Sequence, residues 1–370
     1  MEHAEHAGHV EHAAHTGHTR HTGRGERVAH GPDGDRPEVL LAMGPGVAER
    51  LFTAEQRARL TALVRTDPGL TAHDLTAPTP AVAAALSTAD ALLTCWGAPV
   101  IGSAALAAAP RLRAVVHAAG SVRHHVTAAC WDRGIAVSSA ASANALPVAE
   151  YTLAAILLAG KRVLESARRY TRARTRPDWR QAPADLGNYR RTVGIVGASR
   201  VGRRVIGLLR PFDLRVLLYD PCTGDAEAAA LGVRRTGLDE LCGSSDIVSV
   251  HAPELPETFH LIDGPRLALM RDGATLINTA RGSLVDEGAL LAELVSGRLS
   301  AVLDVTDPEP PAPDSLLYTL PNVLLTPHVA GSLGGEVHRL AERALDELER
   351  FARGLPFASP VRRDELRYGA

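Results

Sequence analysis

The sequence predicts an α/β protein: two parallel-sheet domains facing each other across a cleft, preceded by a disordered His-rich tail. Three observations lead there. A chain of 370 residues is too long for one ordinary core and suits two domains plus an extension. Short apolar runs alternate with helical stretches from about residue 37 to residue 355, the pattern of βα units in parallel sheets. Residues 1–36 differ sharply in composition from everything after them.

In that first segment His recurs at every third position, as His3, His6, His9, His12, His15, His18 and His21, among Ala, Gly, Glu and Thr. It has almost nothing to bury, so disorder is expected. Two readings stay open, a solvated low-complexity extension or a metal-binding tail, since neutral imidazoles ligate zinc, nickel or copper. A flexible array of this kind binds metals weakly and unselectively. No other metal site is expected.

The first domain is expected over residues 37–146. Its strands are read at 39–43, 91–94, 112–117 and 135–137, with helices at 101–108 and 126–133 between them. A long helix is expected from Asn144 to Val163, because Asn suits a helix N-cap and Pro147 is tolerated in a first turn. The Arg-rich stretch up to Arg191 reads as a solvated helix end and connecting loop.

The second domain, expected over residues 147–332, is more regular. Six strands are read at 193–196, 215–219, 246–250, 274–278, 301–305 and 323–326. A final amphipathic helix is read at 336–353, and residues 333–360 are assigned back to the first domain. The first of these six strands runs into GASRVG at residues 197–202, which opens a helix. This is the Rossmann position, where N–H groups and a helix dipole meet a pyrophosphate. Gly197, Ser199, Arg200, Val201 and Gly202 are therefore candidate cofactor contacts. Ser199 stands where the middle glycine of the motif is usual. Asp220 ends the next strand, 23 residues after Gly197, placed to accept the hydroxyls of an adenosine ribose and repel a 2′-phosphate. No Arg follows it directly, so NAD is expected rather than NADP.

Three segments leave the last three strands at their carboxyl ends, where open α/β sheets place ligands. They are NTARGSLVDE at 278–287, LDVTDPEP at 303–310 and TPHVAGS at 326–332. These segments carry the densest signal in the chain.

These motifs resemble the D-isomer-specific 2-hydroxyacid dehydrogenases, the family of D-lactate, D-3-phosphoglycerate and glyoxylate/hydroxypyruvate enzymes. The resemblance covers roughly residues 37–355 and is densest from 193 to 332. It implies an NAD-dependent oxidoreductase with Arg281 anchoring substrate carboxylate and carbonyl, His328 as acid/base and Glu309 as its partner. The chemistry suits these residue types: reducing a 2-oxo acid needs a hydride delivered to carbon, a proton delivered to oxygen, and stabilisation of the developing oxyanion. Arg is always charged and grips a carboxylate in a two-pronged geometry. His is the natural proton donor near neutral pH, and a Glu on its other ring nitrogen fixes the tautomer. It also implies that Asp304 holds the nicotinamide carboxamide and that Thr279 and Ala280 lie beside the nicotinamide ribose. His251, Ala252 and Pro253 are expected at the cofactor as well. A glycine-rich loop of the first domain would offer N–H groups to the substrate carboxylate, which points to Gly120 and Ser121. The family's acidic pattern in that loop is replaced here by Val122 and His125, and Arg123 between them is a candidate contact for a second anionic group. Trp96 is read either as a wall of the cleft or as core packing. By the same resemblance a homodimer joined through the dinucleotide domain is expected, and no further C-terminal regulatory domain.

The remaining composition narrows the alternatives. A net charge of -2 gives no electrostatic reason to expect nucleic acid or a membrane surface. Four well-separated cysteines without a C-x-x-C pair fit a reducing compartment. The apolar run 152–160 is too short to span a bilayer, and the N-terminus has no apolar signal region, so the cytoplasm is expected. Rival functions are an NAD-sensing corepressor-like protein on the same fold and a metal-binding protein led by its tail. A formate-type dehydrogenase is disfavoured because that branch carries Gln at the position of Glu309.

Overall fold

The structure, a computed structural model, describes residues 36–364 apart from 177, 182, 184 and 185. The His-rich segment expected to be disordered lies outside the described residues. The remainder holds two sheets. The first contains β1 (Val39–Ala42), β2 (Thr71–Ala72), β3 (Ala91–Thr94), β4 (Ala114–His117) and β5 (Ala136–Ser139), in the order β2-β1-β3-β4-β5. The second contains β6 (Thr192–Val196), β7 (Arg215–Tyr219), β8 (Arg234–Arg235), β9 (Ile247–Val250), β10 (Thr275–Asn278), β11 (Ser300–Leu303) and β12 (Val323–Leu325). Its order is β12-β11-β10-β9-β6-β7-β8. Strand pairing is parallel throughout both sheets. β1, β3, β4, β9 and β10 are buried along their whole length, as expected for strands covered by helices on both faces.

The second sheet follows the doubly wound dinucleotide order with one strand added beyond it. It has seven strands, not the six expected. The strand not expected, β8, takes the edge place beside β7 and is two exposed arginines with no apolar signature to read, while β12 is the strand beyond the usual order. β2 escaped for the same reason, being two residues at an edge. The strand order reverses between β6 and β9, which opens the crevice that receives a ligand in such sheets.

The long helix runs Ala141–Gly160, so it begins three residues before Asn144, without a side-chain cap, and Pro147 lies inside it. Asn144 is not the N-cap, because its amide is engaged across the cleft, as described below. Ala149, Thr152, Ala155 and Ile156 of this helix are buried, the three apolar ones in the core on one face of the second sheet. The helix is long and apolar enough to cross a bilayer by length and composition, beyond what the run 152–160 suggested, and it packs as a core helix. A separate helix, Val163–Ala173, follows where a solvated helix end and connecting loop were expected, and none of its residues is buried.

The C-terminal helix, Val337–Ala352, buries Leu340, Ala341, Ala344, Leu345 and Leu348 against Leu41, Leu93 and Val116 of the first sheet. Arg59 fastens it through Asp346 and Glu349, at 2.9 and 2.8 Å. Beyond it the chain runs antiparallel to β5, with Val361 N–H donating to Val137 O at 2.8 Å. The buried carboxylate of Glu347 fixes that turn by accepting from Ala358 N and Ser359 N.

Candidate active site

The dinucleotide turn sits at the strand-order reversal. Gly197 has φ +102°, and a Cβ there would stand 2.6 Å from Ala252 N on the loop leaving β9. A Cβ on Gly202 would stand 2.1 Å from Gly197 O. Both glycines are therefore required by the close packing of turn, helix and loop. Ser199 has φ -62° and ψ 177°, an ordinary extended backbone that needs no glycine, and its Oγ accepts from Gly202 N at 3.3 Å as the helix N-cap. The first intrahelical bond is Arg203 N to Ser199 O, so the N–H groups of Arg200 and Val201 precede the helical ladder and face outward for an anion. Asp220 accepts Ala198 N at 2.7 Å on one oxygen, and Cys222 N and Thr223 Oγ1 on the other. It clamps the glycine turn, and an ionised carboxylate retains further acceptor capacity for ribose hydroxyls. This turn, with its open N–H pair and carboxylate, fits a dinucleotide.

The His251 ring is buried and lies 2.9 Å from Ser249 Oγ, where burial lowers its pKa to about 3 and keeps it neutral. Its main chain and that of Ala252 pack against the Gly197 turn. Thr279 is likewise buried, its hydroxyl 3.0 Å from Thr152 Oγ1 on the long helix.

The three catalytic candidates emerge along one edge. β10, β11 and β12 are in register, with Asn278 opposite Leu303 and Leu303 opposite Leu325. Arg281 follows β10 by three residues, and Asn278 braces its turn. Asn278 Nδ2 donates to Arg281 O at 2.7 Å, and its Oδ1 accepts from Ala280 N. Gly282 lets this turn lie against Thr306, since a Cβ there would stand 2.0 Å from the Thr306 carbonyl. His328 follows β12, with φ +54°. Its Nδ1 is 2.9 Å from Glu309 Oε1. A carboxylate only accepts, so Nδ1 carries the proton and Nε2 is left for a substrate. Both side chains are open to solvent, 49% and 42% exposed, as reactants at a cleft surface must be.

Asp304 has a role the sequence did not reveal. It is 1% exposed, and its carboxylate accepts from Thr326 Oγ1 (2.7 Å), Val329 N (2.8 Å) and Ala330 N (2.9 Å), while its carbonyl accepts from His328 N. It braces the loop that carries His328. Tyr151 supports the same loop through Thr326 Oγ1 at 2.8 Å.

The first sheet presents Gly120 and Ser121 after β4. An added Cβ on Gly120 would stand 3.4 Å from Asn144 Nδ2, while Asn144 Oδ1 accepts from Ser332 N at 3.1 Å. Asn144 thus stands between the loop of Gly120 and the loop of His328. Val122 and His125, which replace the family's acidic residues, both point into the first domain at 2% and 3% exposure. His125 and His117 share Thr94 Oγ1 and pack 4.5 Å apart. Burial lowers the pKa of His125 to about 4 and that of His117 also well below the usual value. Trp96 is 43% exposed, which removes the core-packing reading. Among the described residues no group of three or more His, Cys, Asp or Glu is arranged to hold a metal.

Together, a dinucleotide crevice and a bonded His–Glu pair at the carboxyl edge define a nicotinamide-dependent dehydrogenase type of architecture. Residues 153–330 match the NAD-binding domain of the D-isomer specific 2-hydroxyacid dehydrogenases, and the chain belongs to that family. NAD is the cofactor of this domain. The chain is 35% identical over 268 residues to a glyoxylate reductase of Korarchaeum cryptofilum, covering 72% of this chain and 80% of that protein. It is 38% identical over 251 residues to the D-3-phosphoglycerate dehydrogenase of Mycobacterium bovis, covering 67% of this chain and 46% of that one. The chain thus spans about half the length of the curated phosphoglycerate relatives it matches first. Among solved structures it is similar to D-lactate dehydrogenase from Aquifex aeolicus complexed with NAD and lactic acid. That likeness has a TM-score of 0.65 and 27% identity, covering 85% of this chain and 96% of that one.

Proposed function

We propose that this protein is an NAD(H)-dependent oxidoreductase interconverting a small 2-oxo acid and its D-2-hydroxy acid. The observation that carries the reading is the His328–Glu309 pair, 2.9 Å apart at the carboxyl edge of the dinucleotide sheet. In this reading residues 147–332 bind the cofactor, while residues 37–146 with 333–360 bind the substrate. NADH, when bound, supplies the hydride. Arg281 grips the substrate carboxylate and the keto oxygen, which orients the carbonyl and stabilises negative charge building on it. Gly120 and Ser121 complete the carboxylate site with main-chain N–H groups. His328 delivers a proton from Nε2 to the carbonyl oxygen, and Glu309, holding Nδ1–H, fixes the tautomer and keeps the ring oriented. In the oxidative direction the same Nε2 takes the hydroxyl proton. Closure of the two domains about the 141–160 helix excludes water. A cytoplasmic homodimer joined through the dinucleotide domain is part of the same proposal.

The test is NADH oxidation across a panel of 2-oxo acids, with NADPH in parallel and the chirality of the product determined. Turnover with NADH to a D-2-hydroxy acid is expected. A protein that binds NADH but turns over no 2-oxo acid would contradict the reading and favour an NAD-sensing role.

A further inference from the structure

Arg123 and Glu254 meet from opposite domains. Arg123 lies two residues beyond Ser121, on the loop that follows β4, and its N–H reaches Ser121 Oγ at 3.4 Å. Its Nη1 donates to the main-chain carbonyl of Glu254 at 2.8 Å, on the loop that leaves β9. The Glu254 carboxylate accepts from Ser283 Oγ at 2.6 Å. Ser283 is two residues beyond Arg281, and its own carbonyl accepts from His260 N at 2.8 Å. The segment after β9 therefore holds the turn of Arg281 at two points, and at Glu254 it also holds the first domain. Burial first, then the Arg281 charge, keep Arg123 below the ordinary arginine pKa, and the Glu254 charge opposes them, as expected for neighbouring groups.

Opening the cleft acts differently on two of its bridges. Asn144 sits on the 141–160 helix that joins the domains, and its partner Ser332 borders the second joining segment, so that contact lies near the hinge. Arg123 and Glu254 belong to neither joining segment. They sit on loops of separate domains, and a rotation that parts those loops breaks their bond. A main-chain acceptor cannot swing to follow the guanidinium, so the bond tolerates little separation. A hydrogen bond from a charged donor shifts an equilibrium by about 10–100-fold, enough to bias a cleft towards its closed state.

We propose that Glu254 is a positioning residue and Arg123 its latch. The bond to Glu254 O holds the two domains closed, and the Glu254 carboxylate carries that closure to Ser283 and fixes the turn that presents Arg281. Shutting the cleft and setting the substrate anchor are then one event. The inference rests on the oxidoreductase reading above and adds to it how Arg281 is placed.

The experiment measures NADH release by stopped-flow fluorescence, from the binary complex and from the ternary complex with oxamate, a non-reducible mimic of pyruvate. Arg123→Met should release NADH about 10–100-fold faster from the ternary complex and within about threefold of wild type from the binary one, because a ligand on each domain is what draws the cleft shut. Arg123→Lys, which keeps a charged donor, should restore part of the slow release. Glu254→Ala keeps the carbonyl but drops the bond to Ser283. Its ternary release should stay within about threefold of wild type, while KM for the 2-oxo acid rises about three- to tenfold with kcat little changed. Glu254→Gln, which keeps an acceptor for Ser283, should restore that KM. Unchanged ternary release in Arg123→Met, or equal acceleration from both complexes, would overturn the latch. An unchanged KM in Glu254→Ala would overturn the positioning role. Both failures leave the oxidoreductase reading standing, whereas a wild type that binds NADH but neither binds oxamate nor turns over a 2-oxo acid would overturn that reading and the proposal with it.

Discussion

Asp304→Asn is the perturbation that most sharply separates bracing the His328 loop from binding the cofactor. The carboxylate is 1% exposed and accepts three hydrogen bonds. Asparagine keeps one carbonyl oxygen for Thr326 Oγ1 and Val329 N, but turns an NH₂ group towards Ala330 N–H. One buried donor is then unsatisfied, at about 1–3 kcal/mol, and the two surviving bonds lose their charge assistance. A loss of about 2–4 kcal/mol follows. His328, held at φ +54° by this loop, is displaced, and a misplaced acid/base costs on the order of tenfold to a hundredfold in kcat. Urea denaturation measures the stability loss, steady-state kinetics the loss in kcat, and fluorescence titration the affinity for NADH. The expected outcome is reduced stability and kcat with NADH affinity changed less than about threefold. Unchanged stability together with a large rise in NADH Kd would refute the bracing argument and return Asp304 to the carboxamide role implied by the family resemblance.

Gly202→Ala should weaken NADH binding by at least about tenfold, because its Cβ would overlap Gly197 O and force the turn away from Ala252; fluorescence titration reads this, and unchanged affinity would contradict the packing argument. Ser199→Gly should change NADH affinity by less than about threefold and cost only a few tenths of a kcal/mol, since the backbone there is ordinary and Gly is a tolerable N-cap; a large gain in affinity would show that the side chain obstructs the pyrophosphate. Buried neutral histidines make the fold acid-labile: His125 titrates near 4 in the folded state, against 6.5 when unfolded, so the unfolded chain binds more protons in between. The stability it contributes is complete above pH 6.5 and falls by about 3 kcal/mol as pH drops to 4, and His125→Asn should flatten that slope in denaturation curves taken from pH 7 to 4.

Much of this architecture was legible because fully buried parallel strands write themselves as apolar runs, and β10, β11 and β12 end in polar segments that have little reason to be there except chemistry. The family resemblance carried by those segments implied Glu309 and His328 as a pair, and they stand 2.9 Å apart. What escaped was of two kinds. β2 and β8 are two-residue edges whose pairing is set by a neighbouring strand rather than by their own residues. The second kind is contact between distant positions. Asn144 carried a good N-cap signature, yet its amide holds Ser332, 188 residues away, and the helix starts earlier. The family resemblance implied Asp304 as a nicotinamide ligand, yet much of its acceptor capacity goes to the loop of His328. The bond from Arg123 to Glu254 spans 131 residues, and no local pattern announces it.

The most direct test of the account is the rate of 2-oxo acid reduction by His328→Asn at saturating NADH. A fall of about 10²–10⁴ with NADH affinity within about twofold of wild type is expected. A variant that turns over at the wild-type rate would contradict the assignment of His328 as the proton donor.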